Sequence, residues 1–301
     1  MTSAVGNRTR LRGWRCLALG ALAGGAWACT ANDFTFSPSS GFVANDVLIG
    51  AGDIGECASS GANETAALLS LGGTVFTAGD NAYPRGSLDD FQQCYDPSWG
   101  DFKSRTRPSP GNHDYETPGA SGYFDYFGAA AGPRGLGYYS FAVGDWTVLS
   151  LNSNIDAGPG SPQVAWMRAE LEGRQPRCLG AIWHHPVVSS AAGATPTMRH
   201  IWGILQAYGA EFVISAHDHF YERFAPIDAL GAPTTTGVRL FVVGTGGAPL
   251  TRQRGSHPAS EAWASVWGVL KLTLRSDSYQ WAFVPVAAST PTSDAGTGPC
   301  R

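Results

Sequence analysis

The stretch Asp46-Val47-Leu48-Ile49-Gly50-Ala51-Gly52-Asp53 decides how this chain folds. A short apolar run closed by Gly-Asp reads as a buried strand that presents a polar side chain just past its end. Outward from it, helical spacing follows over residues 63–71, and a second apolar run over 74–79 leads into Asp80. Residues 88–91 start a further helix. Strands are expected over 138–143 and 146–152, flanking the turn pair Gly144-Asp145. Helices follow over 163–172 and 199–208, and strands over 179–183, 211–215, 239–243, 268–274 and 279–284, the last two joined across Ser276-Asp277. Strands alternating with helices make an α/β layer fold. One domain is expected over residues 46–286, with a polar linker over 29–45 before it and a polar tail over 287–301 after it.

The 301 residues are 43% hydrophobic and 15% charged, which excludes a disordered chain and suits a packed core. Net charge is −4 and the body of the chain has no Lys/Arg cluster, so no nucleic-acid partner is expected. At the N-terminus, Arg8, Arg10, Arg12 and Arg15 precede an apolar run over 16–26 that is too short to span a membrane. Ala26-Trp27-Ala28 then offers a small-x-small cleavage site. Residues 1–28 are expected as a signal peptide, with the mature protein secreted, periplasmic or lipid-anchored at the cell envelope through Cys29. Both processing routes stay open. Ala26 stands where a lipobox usually carries Leu, yet setting Cys16 and Cys29 aside leaves Cys57, Cys94, Cys178 and Cys300, an even set for two disulfides in an oxidising compartment. A lipid on Cys29 is the sole membrane attachment considered, and the oligomeric state is left open.

Gly52-Asp53, Gly79-Asp80, Gly111-Asn112-His113-Asp114, Trp183-His184 and Ala216-His217-Asp218-His219 each follow what reads as an apolar strand. The carboxyl ends of strands converge on one edge of an open α/β sheet, and ligands bind there. Two carboxylates, one amide and three imidazoles would form a mixed oxygen and nitrogen cage, which suits Fe, Zn or Mn better than Mg or Ca. A carboxylate shared by two ions holds them at the spacing that clamps both oxygens of an in-line displacement. Alone, each piece is an ordinary turn or a packed core histidine. Five in this order are not explained that way.

The segments GDIG, GDNAY, GNHD, AIWHHP and AHDHFYERF, with FQQCYDPSWG, ASGYFDYFG, FVVGTGG and WGVLKLTL, resemble the calcineurin-like metallophosphoesterases. Within them the likeness is to the purple acid phosphatase branch of small bacterial single-domain type, and it runs from about residue 46 to 300. The resemblance implies a four-layer αββα sandwich of two mixed sheets flanked by helices. It also implies a hydrolase that cleaves small phosphate esters, most simply monoesters, by metal-bound hydroxide. Phosphodiesters or nucleotides on the same core, or a non-catalytic metal-binding surface protein, are the alternatives. By the family's pattern Asp53, Tyr83 and His219 bind a first metal, Asn112, His184 and His217 a second, and Asp80 bridges them. A phenol of pKa ~10 ionises near neutral pH only beside a strongly acidic cation, so Tyr83 argues for Fe(III) paired with a divalent Fe, Zn or Mn. Ala216 stands where the family has glycine, and its methyl group displaces the last loop if that position needs positive φ.

His113, next to Asn112, is the expected proton donor to the leaving alkoxide, with Asp114 orienting it or capping the loop. His185, which alternation turns away from His184, and His257, in the Gly/Arg-rich loop 246–257, are further substrate-facing candidates. A Cys57–Cys94 bridge would brace the loops after Asp53 and Asp80 and leave Cys178 for Cys300. Four cysteines allow three pairings, and the sequence does not choose among them.

Overall fold

The computed structural model describes residues 14–16, 29–31, 46–252, 255–286 and 294–301. The chain divides into two compact units, Met1–Val43 and Ala44–Arg301. In the first, β1 (Trp14–Cys16) pairs antiparallel with β2 (Cys29–Ala31). Cys29 opens β2, whereas most of the expected signal peptide and the linker after residue 31 lie outside the described residues.

The second unit holds β3 (Val47–Ala51), β4 (Thr74–Ala78), β5 (Thr106–Ser109), β6 (Tyr139–Val143), β7 (Trp146–Ser150) and β8 (Cys178–Ile182). It continues with β9 (Phe212–Ser215), β10 (Tyr221–Ile227), β11 (Val238–Val243), β12 (Ser260–Ala264), β13 (Gly268–Leu274), β14 (Ser278–Pro285) and β15 (Ala295–Pro299). Its helices are α1 (Gly61–Leu68), α2 (Leu88–Asp90), α3 (Asn112–Tyr115), α4 (Ser121–Phe127), α5 (Pro162–Arg174) and α6 (Arg199–Ala207). The strands form two mixed sheets, ordered β12-β10-β11-β9-β8-β7-β6 and β15-β14-β13-β3-β4-β5. Within them β7, β8, β9 and β11 are parallel, as are β3, β4 and β5.

The two-residue period of the strands makes the layers. Ile182, Phe212, Ile214, Phe241 and Val243 share one core with Leu48, Val75, Leu270 and Leu272 of the six-stranded sheet. Their strand neighbours Leu179, Ala181, Val213, Leu240 and Val242 point the other way, into a core with Val164, Met167 and Leu171 of α5 and Ile201, Trp202 and Leu205 of α6. Aromatic rings lock sheet to sheet: Trp146 and Phe212 both meet Tyr279, and Tyr221 stacks on Phe283 at 4.1 Å. On the six-stranded side, Ala62 and Ala66 of α1 and Tyr123 and Phe127 of α4 complete the core. This is the expected αββα sandwich.

Several elements depart from the sequence expectation, β5, β10, β12 and β15 among them. The residues before Asn112 form β5 although Thr106-Arg107-Pro108-Ser109 is not an apolar run, because an edge strand tolerates Pro and half-exposed Arg. β10 arises from residues for which the sequence suggested no element, and its buried Glu222 accepts hydrogen bonds from Ser190 N and Oγ. The polar tail is not wholly a tail. Ala295–Pro299 extends the sheet as β15, although its Ala-Gly-Thr-Gly-Pro sequence carries no apolar alternation. What anchors it is polar: Asp294 accepts from Tyr221 Oη at 2.6 Å and Arg223 Nε at 2.7 Å. Cys300 then bonds to Cys178, and Cys57 to Cys94.

Candidate metal centre

The carboxyl ends of β3, β4 and β5 lie side by side, and Asp53, Asp80 and Asn112 follow just beyond them. From the other sheet, β8 leads to His184 and β9 to His217 and His219. The loops are stitched together by backbone bonds, Asp53 N to Gly79 O at 3.0 Å and Ala216 N to His184 O at 2.9 Å. Asp53, Asp80 and His217 all hold positive φ, at 57°, 49° and 71°. Such strain in non-glycine residues persists only where the surroundings over-determine it, and it concentrates at functional sites. Ala216 is not among the positive-φ residues, so its methyl group is tolerated. The space comes from Gly52, where a Cβ would meet that methyl at 2.5 Å. Gly111 is needed for close approach, since a Cβ there would lie 2.1 Å from Asp80 Oδ1.

Seven side chains converge in two groups. In the first, Tyr83 Oη lies 2.9 Å from Asp53 Oδ1, 3.2 Å from Asp80 Oδ2 and 3.3 Å from His219 Nε2. In the second, His184 Nε2 lies 3.0 Å from Asn112 Oδ1, 3.1 Å from His217 Nδ1 and 3.2 Å from Asp80 Oδ2. Asp80 Oδ2 belongs to both. Backbone carbonyls set the tautomers: His184 Nδ1 donates to Ala78 O and His219 Nδ1 to Pro249 O, each at 2.9 Å, which turns both Nε2 atoms to the cluster. The remaining carboxylate oxygens brace the loops, Asp53 Oδ2 accepting from His217 N and Asp80 Oδ1 from His113 N, both at 2.8 Å.

The electrostatics fit cations. Burial alone would raise both carboxyls, but the His219 charge holds Asp53 below the usual carboxylate range and the His184 charge does the same for Asp80. Burial opposes protonation of His184 and His219, yet Asp80 and Asp53 respectively raise them to about 9. Burial, then the two carboxylates, push Tyr83 well above its ordinary value. His217 is lowered by burial and by the charge of His184. Each group therefore packs more lone pairs than hydrogens into a buried space, and protons on His184 and His219 are an incomplete answer. Ions at the two centres would satisfy these lone pairs, and a carboxylate, imidazole and amide set is of the kind that fits a transition metal.

Around the cluster, His113 Nδ1 donates to Pro84 O at 2.7 Å and its ring lies 4.5 Å from that of Tyr83. Asp114 does not touch His113. It caps the loop, accepting from Gly111 N at 2.8 Å and from Asn81 Nδ2 at 2.8 Å. Burial, then the charge of Asp80, raise its carboxyl to about 7. His185 is not turned away from His184: β8 has ended at Ile182, so strand alternation no longer applies, and the His185 ring lies 4.5 Å from that of His217. Burial, then the charges of His184 and His217, lower it to about 3. His257 packs on Phe224 instead, with Nδ1 accepting from Ala259 N, and makes none of the cluster's contacts. The Cys57–Cys94 bridge does join the segments following Asp53 and Asp80.

The sequence reading missed the loop after β7. There Ser153 Oγ lies 2.9 Å from His185 Nδ1 and accepts from His185 N at 3.1 Å. Leu151-Asn152-Ser153-Asn154 is itself a polar cluster at the carboxyl end of a parallel strand, and the rule that picked out the other loops applies to it.

A family model described as calcineurin-like phosphoesterase matches residues 43–221, more than half of the chain. Two uncharacterised proteins from strains of Mycobacterium tuberculosis are 31% identical to it over 180 residues, covering 47% of this chain. The match spans only 34% of those curated relatives' own length. Among solved structures, a purple acid phosphatase from yellow lupin seeds has a TM-score of 0.65 at 19% identity, covering 84% of this chain and 53% of its own. A dimetal phosphatase from Danio rerio has a TM-score of 0.58 at 12% identity, covering 85% and 99%. At such identities these two likenesses speak for the fold, and with the family match they agree on one conclusion: the chain belongs to the calcineurin-like phosphoesterase family.

Proposed function

We propose that this protein hydrolyses phosphomonoesters at two metal ions, with Asp53, Tyr83 and His219 on one, Asn112, His184 and His217 on the other, and Asp80 on both. The observation that carries this reading is the position of Asp80 Oδ2, within 3.2 Å of both Tyr83 Oη and His184 Nε2. Bound together, a trivalent iron and a divalent ion supply Lewis acidity and a water acidic enough to act near neutral pH. The protein's own groups do the rest. Asp53 and Asp80 fix the His217 and His113 backbones through their second oxygens. Pro84 O holds the Nδ1–H of His113 and leaves Nε2 free, so the imidazolium form would deliver its Nε2 proton to the departing alkoxide oxygen and return to the neutral Nδ1–H tautomer. The two disulfides favour an oxidising compartment, in keeping with an export signal over residues 1–28 and a lipid or a free N-terminus at Cys29. No helix among the described residues is long and apolar enough to cross a membrane.

The test combines metal analysis with turnover. Two ions per chain and hydrolysis of an aryl phosphate monoester faster than of the matching diester are expected. Faster diester cleavage would move the reading to a phosphodiesterase, and two bound ions without cleavage of either ester would leave a metal-binding protein.

A further inference from the structure

We propose that Ser153 and His185 form a phosphate-orienting pair: Ser153 holds Nδ1 of His185 so that its Nε2–H is free to donate to a non-bridging oxygen of the bound phosphoryl group. This rests on the phosphoesterase reading and adds a substrate contact to it.

The case begins with the hydroxyl. Ser153 is buried, and its Oγ already accepts the His185 backbone N–H. Its own hydrogen has His185 Nδ1 as its acceptor at 2.9 Å, so bonding to it satisfies the buried hydroxyl completely and leaves the ring proton on Nε2. Both neighbours of Ser153 are held by hydrogen bonds. Gln163, fully buried, clamps the adjacent Asn152 from both sides, accepting from its backbone N at 2.7 Å and donating to its O at 2.9 Å. Asn154 donates to Pro110 O at 3.1 Å, two residues before Asn112. The shelf that carries Ser153 is thus tied to the same loop as Asn112 and His113. A ring nitrogen of His185 lies within 4.8 Å of ring nitrogens of His184 and His217, close enough to share an oxygen bound beside them. In this arrangement His185 touches the substrate and Ser153 is a positioning residue.

The experiment measures inorganic phosphate binding to the metal-loaded protein by calorimetry, its competitive inhibition of aryl phosphate turnover, and metal content. His185→Ala should keep both ions and weaken phosphate binding about tenfold, the worth of one well-made hydrogen bond. KM should rise more than kcat falls. His185→Gln, whose amide N–H can reach the place of Nε2–H, should restore most of the affinity, and Ser153→Ala should weaken it about threefold. Unchanged phosphate binding and KM in His185→Ala would overturn the pair, as would loss of one ion, which would make His185 a ligand. Phosphate binding by the native protein without ester turnover would instead remove the phosphoesterase reading while leaving the pair standing.

Discussion

Filling the metal centre has to expel protons, and their number follows from the arrangement of the ligands. In the metal-free protein His184 and His219 are held at about 9 by Asp80 and Asp53, so at pH 6 each carries a proton that an incoming ion must displace. Asp53 and Asp80 are already ionised, and His217, lowered by burial and the charge of His184, has no proton of that kind to give. Tyr83, pushed up by burial and the two carboxylates, keeps its phenol proton beside a divalent ion. A bound water with pKa near ~7 stays mostly protonated at pH 6. Loading both sites with zinc should therefore release about two protons per chain, read by calorimetry in two buffers of different ionisation enthalpy. A histidine held at about 9 weakens the apparent affinity of its ion roughly tenfold for each pH unit below that value. Between pH 6 and pH 8 the affinity per ion should rise about a hundredfold. Stability carries the opposite sign. The folded values of His184 and His219 exceed their unfolded value of 6.5, so their contribution to the metal-free protein is full below 6.5 and is lost as pH rises toward 9. The contribution of Asp53 and Asp80, whose values are lowered, is full above 3.8 and does not change in that window. The metal-free melting temperature should fall from pH 7 to 9 while the zinc-loaded one holds or rises. Flat zinc affinity from pH 6 to 8 with less than one proton released would refute the assignment of His184 and His219.

Iron reads Tyr83 separately: the oxidised, iron-loaded protein should be violet to pink from a phenolate charge-transfer band, and Tyr83→Phe should lose the colour; full iron occupancy without a Tyr83-dependent band would leave the phenol a hydrogen-bond donor. Asp80→Asn should lose both ions and most turnover, and removing one partner of a buried ion pair should cost the metal-free fold about 3 kcal/mol, measured by denaturant unfolding. His113→Ala should bind both ions normally yet slow alkyl phosphates about a hundredfold more than activated aryl phosphates; equal slowing would assign His113 to binding. Gly52→Ala should destabilise by about 1–3 kcal/mol through its 2.5 Å approach to the Ala216 methyl, and adding Ala216→Gly should recover most of that.

What could be read from the sequence was whatever depends on apolar runs. Residues 46–53 and 74–79 gave their strands to within a residue or two, because a strand buried on both faces needs little but continuous apolar character. β15 stayed hidden for the converse reason, whereas the strand expected before Gly111 is present as β5 but is not apolar. The anchor of β15 is polar: Asp294 reaches Arg223 and Tyr221, more than seventy residues away in the chain, and no local pattern encodes that distance. The side chains that converge could be picked out because Asp53, Asp80, Asn112, His184 and His217 each follow a strand in the same sense, but Ser153 was not singled out, since serine between two asparagines looks like any turn. The orientation of His185 was misjudged by extending strand alternation two residues past the end of β8.

The backbone strain at the site was also illegible, and it bears on how the ions and the fold depend on each other. Glycine before Asp53 and Asp80 invites the reading that glycine alone takes the unusual conformation; Gly79 does, at φ 88°, but the aspartates themselves also hold positive φ, as does His217. Each such residue costs about 1–3 kcal/mol. Part of the compensation is visible without metal: Asp53 Oδ2 accepts the backbone N–H of His217, so two strained residues hold each other, and Asp80 Oδ1 does the same for the unstrained His113. The oxygens left over, Asp53 Oδ1 and Asp80 Oδ2, face the cluster, where Tyr83, His184 and His219 supply fewer hydrogens than there are lone pairs. Strain in the backbone thus aims one oxygen of each carboxylate at a neighbouring loop and the other at the place of an ion. Metal binding there would complete an arrangement for which the fold has already accepted the conformational cost.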